Sequence, residues 1–146
     1  MDRNERILLW LLRISGVVML TALGAVAMPY DWMNVIHRQQ GLGELPHVLI
    51  VGYLTRSISA FYAFHGALLV FVANDLRRYL PVVRFLALAG VVFGAIMMGI
   101  DWDVGMPLPW TIGEGLWVIL LSGVLLWLTG RQRSPATPVE PAWAGK

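Results

Sequence analysis

The stretch Tyr53-Leu-Thr-Arg-Ser-Ile-Ser-Ala-Phe-Tyr-Ala-Phe-His-Gly66 lies in the middle of a long apolar run. A charge at the centre of a membrane helix costs about 2.5–3.5 kcal/mol on insertion scales, so Arg56 and His65 call for a partner or a purpose. The composition agrees with a membrane reading. Hydrophobic residues make up 58% of the 146 and charged residues 14%, against about 25% charged in ordinary globular chains. The mean hydropathy is +0.66. One domain is expected at this length. The basic residues are spread along the chain and the net charge is only +2. Without a basic cluster interleaved with aromatics, nucleic acid is not an expected partner. The absence of cysteine excludes disulfides, thiolate catalysis and cysteine-ligated metal. No Walker loop, GxGxxG, HExxH or GxSxG occurs, and no repeat of a known period is visible.

Working outward, the helix that holds this stretch is expected from about His47 to Ala73, long enough to tilt. Gly52, Tyr53, Arg56, Ser59, Ala60 and Ala63 share one face, a small and polar stripe that should meet protein. His65 faces nearly the opposite way at ~100° per residue, so it should not share a site with Arg56. Before it, a first helix is expected from Ile7 to Met28, with Arg13 snorkelling to the near surface. Ala25-Val26-Ala27 fits a signal-peptidase site, but the acidic residues near the N-terminus, Arg13 and the length of the run speak against cleavage. Pro29 to Pro46 should hold a short interfacial helix, Trp32 to Gln40, capped by Asp31 and ended by Gly41, with Trp32, Val35 and Ile36 on its apolar side. After the second helix comes a short basic loop, Asn74 to Arg84. A third helix is expected from Pro81 to Ile100, with proline in its first turn. Its Gly90 and Gly94 form a GxxxG, which suits either packing within the chain or a homodimer face. Asp101 to Trp110 reads as an acidic loop. A fourth helix is expected from Thr111 to Thr129, where Thr111 and Glu114 form a T-x-x-E capping box. Residues 1–130 are thus read as the membrane domain and 131–146 as a Pro/Ala/Ser-rich disordered tail.

The fold expected is all-α, a four-transmembrane-helix bundle with a short interfacial helix between helices one and two. Basic residues gather at the N-terminus, the second loop and the tail, which places both termini in the cytoplasm. Asp31, His37, Glu44, His47, Asp101, Asp103 and Glu114 then lie toward the outer face. Arg56, roughly 12 Å below the surface, leans toward them. We expect Arg56 to pair with Glu114, or otherwise with Asp101. The candidate polar cluster is Arg56, Glu114, Asp101, Tyr53, Ser59 and His47. It serves either as a structural ion pair or as a binding site for a polar or anionic head group. His65 reads as an isolated membrane histidine with a hydrogen-bonded partner. Haem is not expected, because His37 and His47 lie on the other side of the membrane. Tyr53 and Tyr62 suit the lining of a quinone or lipid pocket. No catalytic residue or metal ligand is identified.

The chain resembles the DoxX-like four-helix membrane proteins of bacteria. The likeness covers about residues 7 to 129. It is carried by Leu12-Arg-Ile-Ser-Gly16, Met28-Pro29, mid-helix Arg56 with Gly66, the Gly-rich third helix, the Asp101…Gly105-Met-Pro107 turn and Glu114. The resemblance implies a four-helix bundle in the inner membrane and, for some members, an accessory role beside quinone-linked oxidoreductases. It assigns no catalytic residue here. The leading expectation is an accessory or scaffold protein that binds lipid, quinone or a membrane-protein partner. The alternative is a membrane enzyme or redox subunit acting on a lipid-like substrate at the outer polar cluster. A small multidrug-type transporter ranks third, since helix one carries no carboxylate.

Overall fold

The computed structural model describes residues 2–132. Four helices are long and apolar enough to cross a membrane, and no strand occurs among the described residues. The first span is α1 (Arg3–Leu20), which loosens at Thr21 and Ala22 and ends as α2 (Leu23–Val26). The short helix α3 (Tyr30–Gln39) follows. The second and third spans are α4 (Leu49–Asn74) and α5 (Leu76–Val104). The fourth starts as α6 (Leu108–Thr111), passes through a π-helical turn (Ile112–Leu116) and continues as α7 (Trp117–Gly130). This is the four-span, all-helical bundle with a short intervening helix that the sequence predicts. Of the expected tail, only Arg131 and Gln132 fall among the described residues.

Several local expectations are corrected. The third helix starts at Leu76, not Pro81. Asp75 caps it by accepting a hydrogen bond from the Arg78 backbone N–H at 3.3 Å, so the expected basic loop shrinks to a single residue. Pro81 therefore stands in the second turn, inside the helix. There its missing N–H leaves the Arg77 carbonyl without its usual donor. The helix also runs past Ile100 to Val104 and stops at Gly105, whose left-handed φ of +73° glycine adopts freely. Asp31 caps nothing, because α3 begins two residues earlier than expected, at Tyr30, with Pro29 in the cap position. The capping box is not formed either. Pro107 starts the fourth span ahead of Thr111, and Glu114 falls inside a π turn rather than in a first α-turn.

The spans pack as two antiparallel hairpins, the first two spans together and the last two together, with thinner contact between the pairs. Both hairpins use the same crossing. A Cβ on Gly16 would stand 2.8 Å from the Gly66 carbonyl oxygen and 2.8 Å from Val70 Cγ2. A Cβ on Gly94 would stand 2.8 Å from the Gly115 carbonyl oxygen and 2.8 Å from Ile119 Cγ1. In the reverse sense, Gly66 backs onto the backbone of Leu20 and Gly115 onto that of Met98. Gly16-x-x-x-Leu20 against Gly66-x-x-x-Val70 is thus repeated as Gly94-x-x-x-Met98 against Gly115-x-x-x-Ile119. Without side chains at the crossing, backbones approach closely, as membrane helices do where lipid offers no competing hydrophobic drive. The repetition has no fixed period, because the first hairpin carries the α3 loop and the second only a short turn. Gly90 backs onto Ser122, so the GxxxG of α5 faces α7 of its own chain.

The core shared by all four spans is lopsided. Leu8 and Leu12 of α1, Leu69, Val72 and Ala73 of α4, Leu76, Val83 and Ala87 of α5, and Leu125 and Leu128 of α7 form one buried cluster. All of them lie in the half of the bundle that holds the termini, the terminal end. Arg77 closes that end with a two-pronged bond to Glu5, Nε to Oε1 at 2.7 Å and Nη2 to Oε2 at 3.2 Å. It joins the first span to the third. Toward the other end, the loop end, the buried positions are the crossing glycines, Ala63, Asp101 and Thr111.

Candidate functional site

At the loop end, α3 organises the chain that leads into the second span. Asn34 Oδ1 accepts from the Leu45 backbone N–H at 2.8 Å, and the Tyr30 hydroxyl donates to the Leu45 carbonyl at 2.5 Å. His37 Nδ1 lies 3.0 Å from the Gly43 carbonyl oxygen. These contacts bring His47 against Tyr30, with ring centroids 4.3 Å apart. Desolvation holds the Tyr30 phenol above its ordinary pKa. Beside this pair opens a groove of about 740 Å³ whose polar lining is Tyr30, His47, Tyr53, Arg56 and Ser57 around Gly52. Val48 and Leu49 supply an apolar wall.

Arg56 is fixed at the base of the groove by two backbone acceptors. Its Nε donates to the Val26 carbonyl at 3.1 Å and its Nη2 to the Met28 carbonyl at 3.4 Å. Val26 closes the first span, where the helix leaves acceptors without internal donors and carries the negative end of its dipole, and Met28 lies two residues beyond it. The third nitrogen, Nη1, makes no hydrogen bond among the described residues. It lies where a Cβ on Gly52 would be 3.7 Å away. The guanidinium is therefore half satisfied by backbone and half free on the groove side.

This arrangement corrects the expected ion pair. Arg56 meets neither Glu114 nor Asp101, because the nearest acceptors come from its own hairpin partner, the end of the first span, and not from the second hairpin. The predicted cluster separates into parts. His47, Tyr53 and Arg56 line one groove. Ser59 turns back on its helix and donates to the Thr55 carbonyl at 2.8 Å. Asp101 is 3% exposed, and its Oδ2 has no partner among the described residues. Glu114 belongs to a contact between the hairpins, where its Oε1 accepts from the Tyr62 hydroxyl at 3.1 Å. His65, one turn along α4 from Tyr62, is half-buried and makes no hydrogen bond among the described residues, so the partner expected for it is not found. Tyr62 joins the hairpins, while Tyr53 lines the groove.

Sequence reasoning missed two participants, Tyr30 and Glu5, and did not foresee the partner of a third, Tyr62. Tyr30 gives no signal of its own, since only the fold of the α3 loop brings it to His47. Glu5 does give one. It falls at helical spacing with Leu8, Leu12 and Gly16, the buried stripe of α1, so a carboxylate there needs a cationic partner. Tyr62 lies one turn before His65 and marks the face of α4 that meets the second hairpin. Among the described residues no group of His, Asp and Glu is placed to hold a metal ion. No family model, curated protein or solved structure matches the chain.

Proposed function

We propose that this is a non-enzymatic accessory protein of the bacterial inner membrane that holds the head group of an anionic or polar amphiphile, a lipid or a quinone, in the Arg56 groove. The reading rests on one observation. The groove offers Arg56 Nη1, the Ser57 and Tyr53 hydroxyls and the His47 ring, beside an apolar wall, and no carboxylate lines it. Donors without acids suit a ligand rich in acceptors, and an arginine already anchored through two nitrogens presents the third without ordering a free side chain. The distribution of basic residues supports cytoplasmic termini and hence an outward-facing groove. The likeness to DoxX-like proteins supports the bacterial inner membrane and a partner among membrane proteins.

The test is the amphiphile that stays with the protein after purification in mild detergent, identified by mass spectrometry. Phospholipid or quinone should co-purify with the wild type and be lost from Arg56→Leu, with the helical content of the variant unchanged. An undiminished amphiphile content in a folded Arg56→Leu protein refutes the groove as the site.

A further inference from the structure

We infer that Glu114, held by Tyr62 at the junction of the two hairpins, is a binding site for a lipophilic ammonium cation. Four observations carry this, and none involves the Arg56 groove.

Glu114 lies within a span, inside a π-helical turn. Such turns are uncommon, and they are frequent at functional sites. The Tyr62 hydroxyl engages Oε1, while Oε2 makes no hydrogen bond among the described residues, so one carboxylate oxygen is oriented and the other is open. The two hairpins share one crossing, and within it Glu114 and His65 are equivalent, each standing immediately before the crossing glycine, Gly115 or Gly66. The repeat therefore places an acid and an imidazole at matching positions, one on each side of the junction. Finally, no arginine or lysine partners the acid among the described residues. The only ion pair there, Arg77 with Glu5, is at the terminal end, and Arg56 is bonded to the end of the first span. An ionisable side chain at membrane depth with no countercharge of its own marks a substrate or ion site.

The surroundings define that cation. One carboxylate and one phenol cannot replace the six or so oxygen ligands of a bare metal ion. Phe61, next to Tyr62 in the chain, and Ile112, Leu116 and Trp117, close to Glu114 in the chain, are apolar and exposed, so a cation that crosses this surface must carry apolar substituents. An ammonium with hydrocarbon groups meets the charge at Oε2, the ring face of Tyr62 through a cation–π contact, and apolar neighbours with its chains.

Because the site is a carboxylate, protons compete for it. Of the titratable groups on the packed elements, Tyr62 bonds the acid, His65 lies one turn along α4 from Tyr62, and Asp101 of α5 lies one turn beyond the Met98 that backs Gly115. The stretches Leu108–Thr111 and Trp117–Gly130 carry none.

The experiment uses the full chain in mild detergent, with benzyltributylammonium as the probe and equilibrium dialysis as the readout. The wild type should bind one equivalent saturably, with affinity falling as the pH is lowered. Glu114→Gln should weaken binding by about tenfold or more. Tyr62→Phe should weaken it less, and Arg56→Leu should leave it unchanged. His65→Asn should retain the pH competition. The inference is overturned if the wild type shows no saturable binding, or if Glu114→Gln binds as the wild type does. It is overturned equally if His65→Asn removes the pH dependence. Should Glu114→Gln fail to fold, the wild-type pH competition and Tyr62→Phe decide, and pH-independent binding that Tyr62→Phe leaves intact overturns it. Loss of amphiphile from Arg56→Leu with ammonium binding intact would keep this site distinct from the groove.

Discussion

Arg56, Arg77 and Arg84 end on two kinds of acceptor. Arg56 reaches carbonyls at the end of the first span. Arg84 reaches the Thr129 carbonyl in the last turn of α7 at 2.8 Å. Arg77 alone finds a carboxylate, that of Glu5. Sequence reasoning pairs a buried arginine with an acid because both are charged, but the end of a helix offers oxygen acceptors that no residue letter announces. That is why the sequence points Arg56 to the wrong partner, although it marks the residue as one that needs acceptors. The Arg77–Glu5 bond should behave as a true pair. Glu5 is almost wholly buried and Arg77 mostly exposed, so removing Arg77 leaves an uncompensated buried acid, whereas removing both partners does not. We expect Arg77→Leu and Glu5→Leu each to lower the thermal midpoint in detergent, and the double variant to recover part of the loss. Strictly additive losses would show that the bond contributes nothing.

At the scale of the helix, glycines divide by what stands in front of them. Gly94 faces the Gly115 backbone, whereas a Cβ on Gly123 of α7 would meet nothing within 4 Å. Gly94→Ala should therefore destabilise the protein by about 1–3 kcal/mol through overpacking. Gly123→Ala should stabilise it by about 0.5–1 kcal/mol by removing the entropic cost of a helical glycine. Denaturation of the two variants side by side checks this, and equal effects would contradict the crossing. The GxxxG was legible because its spacing matches the helix. Gly115, which faces Gly94, and the pair Gly16 and Gly66 of the other hairpin were not, since none stands in such a spacing and the meaning of each depends on the helix opposite. The fourth span misled for a similar reason. T-x-x-E has the spacing of a cap, and only the earlier start after Pro107 leaves Thr111 at the end of α6 and Ile112 to Glu114 in the π turn. Pro81 misled in the opposite direction, because Asp75 begins the helix before proline's preference for a first turn applies.

For the whole molecule, hydropathy made the architecture legible almost completely: four spans in order, with a short helix after the first. The proposed topology, with both termini in the cytoplasm, rests on the basic residues. We expect a reporter fused to the tail to be active only as a cytoplasmic enzyme, and alkaline phosphatase inserted at Gly105 to be active outside. Phosphatase activity from the tail would reverse the orientation. The pairing into hairpins was not legible, because hydropathy marks which residues leave water but not which helices they meet.

The one-sided core also sets an order of opening. Amide hydrogens exchange through local fluctuations that cost least where few buried side chains must separate. The loop-end halves of α4 and α5 should therefore take up deuterium well before their terminal-end halves, although each is one continuous helix. Exchange within a single span should thus be graded along its length, and the boundary should fall near Gly66 and Gly94, where each hairpin is pinned.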